Sequence, residues 1–241
     1  MTPAASTGVL PYTSTARFSG ETPEYRAARD HLLAAERDLR ATTERVAAMR
    51  RALPLGGRVP EDYVFEEGRA DLSDTASVRQ VKLSELFRDG LNTLVVYSFM
   101  YGPKAKQPCV MCTSILDSLN GASPHVSQRV NLAVVAKSPI ARIREFARGR
   151  RWNNLRLLSS ALNTYNRDYH GEAADESQLP SLNVFVRRGA DIHHTYNTEL
   201  LFAPTAPGED ARHVDAIWPL WNLFDLTPDG RGTDWYPKLS Y

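Results

Sequence analysis

The order of elements in this chain predicts an α/β fold: a sheet flanked by helices, with a long N-terminal helix and a C-terminal extension. Two observations carry that reading. Short apolar runs rich in β-branched and aromatic residues, at 94–100, 131–136 and 182–187, alternate with stretches of helical periodicity. The chain's two cysteines, Cys109 and Cys112, stand three residues apart between the first of these runs and a helical stretch.

Residues 1–21 are read as a flexible tail. They are rich in Thr, Ser, Ala and Pro and lack the basic and apolar regions of a secretory signal. Thr22-Pro23-Glu24 supplies an N-cap, a first-turn proline and a first-turn acid. Tyr25, Ala28, Leu32, Ala35, Leu39, Val46 and Met49 then recur at three- and four-residue steps. The spacing predicts one amphipathic helix to Arg51, ended by Leu53-Pro54-Leu55-Gly56-Gly57. A helix of this kind needs a surface to cover its stripe. It is expected to reach a second copy, making a homodimer. Residues 22–57 are thus a helical arm, and 58–241 the main domain.

Within that domain, 63–66 and 79–83 read as short strands and 84–87 as a helical turn. Residues 94–100 form a buried strand. The helix after the cysteines is expected to stop at Asn120-Gly121. A second buried strand covers 131–136, Ser138-Pro139 opens a helix over 140–148, and 155–159 is a third short strand. Residues 163–175 are polar and read as a loop. Residues 182–187 and 190–196 form a hairpin about Arg188-Gly189. A helical stretch near 210–223 lies in the Pro- and Trp-rich extension.

Composition narrows the function. The chain is 42% hydrophobic and 24% charged with a net charge of +1, which gives no electrostatic case for nucleic acid or a membrane surface. No apolar stretch approaches the roughly 18 residues of a membrane span. A cytoplasmic location is expected, where thiols stay reduced and serve catalysis or metal binding better than a structural bridge.

A Cys-x-x-Cys pair between a strand and a helix is a thioredoxin-like arrangement. Backbone N–H groups at a helix N-terminus stabilise a thiolate, so Cys109 is the candidate nucleophile. Cys112, one turn on, is placed to resolve a mixed disulfide. Pro180 lies just before the hairpin. It is either the proline that shapes a substrate groove in such folds, in cis, or a loop proline preceding a strand. Tyr97, Tyr101 and Tyr196 are candidates to line a substrate pocket, with core packing the alternative for each. His194 is the candidate histidine, in a hairpin expected to approach the cysteines, and only one of His193 and His194 can face them. Asp117 is read as a cap, salt bridge or buried acceptor. No dinucleotide or Walker loop is present.

Tyr97-Ser98-Phe99-Met100-Tyr101-Gly102-Pro103, the cysteine pair, Asp117, Asn120-Gly121, His125, Phe185-Val186-Arg187-Arg188-Gly189, His194-Thr195-Tyr196 and Asp225-Leu226-Thr227-Pro228-Asp229-Gly230-Arg231 resemble a bacterial thioredoxin-like family, domain of unknown function 899. The likeness runs from Tyr25 to Tyr241 and implies a thioredoxin-like fold. It implies no particular substrate. The chain departs from ordinary thioredoxins in having Val-Met between its cysteines.

Two functions fit. The first is a thiol–disulfide oxidoreductase without a cofactor, acting on a protein disulfide or a small molecule. The second is a copper-dependent oxidase or oxygenase acting on a small molecule. Cys109, Cys112 and His194 would be its ligands, because copper(I) favours thiolate and accepts imidazole.

Overall fold

The structure is a computed structural model and describes residues 16–88 and 90–241. The expected tail lies outside the described residues as far as residue 15. The chain divides into two compact units between Leu53 and Pro54.

The first unit contains α1 (Pro23–Arg51). Thr22 caps it, its side chain accepting the Tyr25 N–H at 3.2 Å, and Pro23 stands in the first turn as the sequence predicts. None of its residues is buried. Tyr25, Leu32, Leu39 and Met49 of the apolar stripe are all exposed.

The second unit is built on one seven-stranded sheet. Its strands are β1 (Val64–Gly68), β2 (Val78–Lys82), β3 (Thr93–Ser98), β4 (Asn131–Ala136), β5 (Leu157–Ser159), β6 (Ser181–Arg188) and β7 (Asp191–Asn197), in the order β2-β1-β5-β4-β3-β6-β7. β3, β4 and β5 run parallel, while β6 is antiparallel to β3 and β7 to β6. The helices are α2 (Val110–Val126), between β3 and β4, α3 (Ile140–Arg150), between β4 and β5, and the short α4 (Tyr165–Asp168) and α5 (Leu220–Phe224). A parallel βαβ unit followed by an antiparallel hairpin beside its first strand is a thioredoxin-like core, so the expected fold class holds. Gly56 and Gly57 belong to this unit. The Gly57 carbonyl accepts the His194 N–H at 2.9 Å, and a Cβ on Gly56 would sit 1.9 Å from the His194 carbonyl oxygen.

Alternation along the strands sorts the core into two faces. Tyr97, Leu132, Val134 and Ala136 pack with Phe99, Cys112, Ile115, Leu116, Trp152 and Trp218. Leu94, Val96, Ala133, Val135 and Phe185 pack with Tyr63, Phe65, Tyr165 and Tyr169.

Three expectations are corrected. The helix after the cysteines does not stop at Asn120-Gly121 but runs to Val126, through Pro124. Proline lacks the N–H that would bond the Asn120 carbonyl, and Asn154 Nδ2 donates to that carbonyl instead, at 3.2 Å. Residues 163–175 are not all loop. α4 carries Tyr165 and Asn166 into the interior, where they are almost wholly buried. In the extension only Leu220–Phe224 is α-helical; Val214 and Trp218 are buried in the cysteine-side core outside any helix. Among the described residues no helix is long and apolar enough to cross a membrane.

Candidate functional site

β3 ends at Ser98, and the chain makes an excursion before entering α2. Two contacts close its base and its end. Phe99 N–H donates to the Val135 carbonyl at 2.8 Å, and Cys109 N–H to the Met100 carbonyl at 3.1 Å. The lead-in to α3 and α3 itself grip the excursion from the side. Ser138 donates from its backbone to the Tyr101 carbonyl at 2.9 Å and from Oγ to the Gly102 carbonyl at 3.0 Å. The Arg142 guanidinium donates to the carbonyls of Pro103 and Ala105 and lies 4.5 Å from the centre of the Tyr101 ring. The polar loop ahead of the cysteine pair is thereby held by donors from α3 and from the residues that lead into it.

Cys109 is the N-cap of α2, and its sulfur accepts the Cys112 N–H at 3.3 Å. Cys109 is half-buried and Cys112 buried, and both are free thiols. A hydrogen bond from the Cys112 thiol pulls the Cys109 pKa down to about 6. Burial opposes this, and the Cys112 and Met111 N–H groups add to the lowering. Cys112 is pushed the other way, first by its bond to Cys109 and then by burial. The two shifts run in opposite directions and favour the half-buried Cys109 sulfur over Cys112 as the thiolate. Such a pair can attack a disulfide through Cys109 and resolve through Cys112.

Tyr97 reaches the pair from β3. It is 1% exposed, and its hydroxyl is buried without a hydrogen bond of sound geometry. The neighbouring Cys112 sulfur is nonetheless within its reach, and burial and that sulfur raise the phenol's pKa far above its ordinary value. Tyr236 comes from the C-terminal extension, which sequence reasoning did not single out. Partial burial and then the nearby charge of both thiols raise its pKa. Arg150 fixes the strand of chain after it by donating to the Leu239 carbonyl at 2.6 Å, and Trp235 stacks edge-on against Trp221 and Phe224. Only the aromatic sequence Trp235-Tyr236 hinted at this role.

The other candidates fall elsewhere. Tyr101 is core, packed against Phe99 and Phe146. Tyr196 stands opposite Val184 on β7. Pro180 immediately precedes β6, whose Ser181 pairs with Ser98, so it lies at the cysteine end of the sheet. Its peptide bond is not cis; no cis bond occurs among the described residues. Asp117 accepts from Trp152 Nε1 at 2.8 Å and from Arg150, a structural anchor one turn beyond the site.

His194 is on the wrong face for the expected ligand set. It is paired with Phe185 in register, packs on the Phe185 and Tyr169 rings, and its Nε2 meets Asn183 Oδ1 at 2.9 Å. Those aromatic partners belong to the core opposite Cys112. His193 takes the other face but meets the Gly56 carbonyl through Nδ1 at 3.0 Å. Among the described residues no three His, Cys, Asp or Glu side chains are gathered to hold a metal.

A cavity of about 900 Å³ lies at the far end of the sheet, where Glu67 is held between Arg79 and Arg156. Among the described residues no cysteine or histidine lines it, so the thiol pair outweighs it as the candidate site.

Residues 15–241 match the family described as a bacterial protein of unknown function (DUF899), and the chain belongs to that family. None of the curated proteins matches it. Solved structures similar to it include thioredoxin peroxidase I of Plasmodium yoelii, at 15% identity, covering 77% of this chain and 100% of that one, with a TM-score of 0.46. AhpC of Mycobacterium bovis is 17% identical over 76% of this chain and 98% of its own, with a TM-score of 0.45. The exposed lipoprotein thioredoxin Etrx1 of Streptococcus pneumoniae is 11% identical over 64% and 96%, with a TM-score of 0.39. These likenesses are distant, and the fold rests on the strand order above.

Proposed function

We propose that this DUF899 protein is a thiol–disulfide oxidoreductase acting on a protein or small-molecule disulfide. The observation that carries the reading is the Cys109 sulfur at the mouth of α2, accepting the Cys112 N–H at 3.3 Å with the Cys112 thiol buried behind it. Cys109 attacks one sulfur of the substrate. The substrate S–S bond breaks, a mixed disulfide forms and one thiolate leaves. Cys112 then loses its proton and attacks the Cys109 sulfur. The second substrate thiolate leaves, and the chain holds a Cys109–Cys112 disulfide, oxidised by the two electrons the substrate has gained.

The test is a thiol count on protein purified without chelator, before and after oxidation and again after dithiothreitol, with metal analysis of the same sample. Two thiols lost and regained together, without bound metal, is the expected result. About one copper per chain with both thiols protected would favour the copper-dependent reading instead. That reading would then need a ligand other than His194. Quaternary structure is part of the proposal: the exposed stripe of α1 pairs two copies, and a monomeric mass at micromolar concentration would refute it.

A further inference from the structure

The resolving step has a difficulty that the cysteines alone do not solve. Cys112 must become a thiolate to attack, yet it is 2% exposed, and water cannot solvate the charge there. The groups facing its sulfur are few. Three side chains do so, Cys109 on its own helix, Tyr97 on β3 and Tyr236 on the C-terminal extension, and the Met100 backbone N–H reaches it from the loop after β3. The nearest ion pair on α2, Asp117 with Arg150, is already closed on itself and on Trp152. Tyr236 is half exposed. Of the three, Tyr97 alone offers a wholly buried and uncommitted O–H.

A buried hydroxyl without a partner costs stability, and native interiors rarely keep one. Tyr97 keeps one at the thiol pair. The neutral Cys112 thiol is a poor acceptor, which accounts for the lack of a well-formed bond in the reduced protein. A thiolate is a strong acceptor, and bonds to charged groups are roughly twice as strong as neutral ones.

We propose that Tyr97 is a positioning residue for the resolving step: its buried hydroxyl donates to the Cys112 sulfur once that sulfur is ionised. It forms no covalent bond and keeps its own proton. The proton of Cys112 leaves with the departing substrate thiolate or to solvent, and the electron pair of the Cys112 thiolate makes the new S–S bond. The inference rests on the oxidoreductase reading for its consequence, but not for its physical content.

The experiment uses the full chain with Tyr97→Phe, which removes one unpartnered oxygen and leaves the ring. In the Cys109→Ser background, ultraviolet thiolate absorbance titrates Cys112 alone. Tyr97→Phe should raise its apparent pKa by about one unit, the tenfold loss expected of a charge-assisted bond. In the wild-type background the same change should slow decay of the mixed disulfide by about tenfold, with Cys109 alkylation unaltered and thermal stability unaltered or slightly raised. An unchanged Cys112 titration would overturn the proposal, and so would a loss of stability that by itself accounts for slower resolution. If the wild-type chain exchanges no disulfides, the oxidoreductase reading fails, and the Cys112 titration alone judges Tyr97.

Discussion

The two faces of the sheet carry similar aromatic cores and opposite chemistry. Below β3 and β4 on one side, Tyr97, Trp152 and Trp218 pack in one core with Cys112, and Cys109 is half-buried at its edge. On the other, where Tyr63, Tyr165, Tyr169 and Phe185 form the core, the Tyr169 and Phe185 rings pack on the half-buried His194, whose ring nitrogen is committed to Asn183. Burial lowers the His194 pKa, so that histidine is held neutral. The difference teaches what the proposed reading of Cys109 requires: a helix mouth, an uncommitted donor and solvent in one place. The cysteine face has all three; the histidine face has packing.

The largest effect that would break this comparison is at Cys109. Cys109→Ser should reduce disulfide exchange by about a thousandfold or more, since no other nucleophile stands at the helix mouth. Cys112→Ser should instead accumulate mixed disulfides, visible as a mass increase on intact protein. His194→Ala should leave exchange within about twofold while lowering stability by about 1–3 kcal/mol, through the lost Asn183 bond and ring packing. If it proved as damaging to activity as Cys109→Ser, disulfide exchange alone would not explain it, and the two faces would not be chemically separate.

Arg142→Ala sharpens the account of the cysteine face. Its guanidinium ties the loop before Cys109 to α3, so its loss should cost about 1–3 kcal/mol in a denaturant titration and slow Cys109 alkylation several-fold. The smallest effect is expected at Tyr165→Phe. Its hydroxyl too is buried without a partner, but in the core without a cysteine. Removing it should be neutral or slightly stabilising and leave the Cys112 titration alone, the control for Tyr97→Phe.

How much of this was legible in the sequence follows the range of each interaction. The cysteine pair, its strand and its helix start are local patterns, and the Thr22-Pro23 cap of α1 is likewise written in adjacent residues. Asn120-Gly121 misled because the donor that lets α2 continue, Asn154, comes from beyond the next strand and helix. His194 misled because facing in a strand depends on register, and β6–β7 has a register shift between Val184 and Phe185. Alternation places His193 and His194 on opposite faces but does not say which face is which. Tyr236 is more than 120 residues from the cysteines it approaches, and no local pattern reports such a contact.

The reduced protein also carries a pH signature. Cys109 has a lowered folded pKa, so its thiolate contributes stability that is fully present above the ordinary thiol pKa and is lost as pH falls toward about 6. The most direct measurement is the alkylation rate of Cys109 against pH, followed by peptide mass on the reduced wild-type chain. The account predicts a rise with a midpoint near 6, with Cys112 scarcely labelled across the range. A midpoint at the ordinary thiol value of about 8.5, with both cysteines labelled alike, would contradict it.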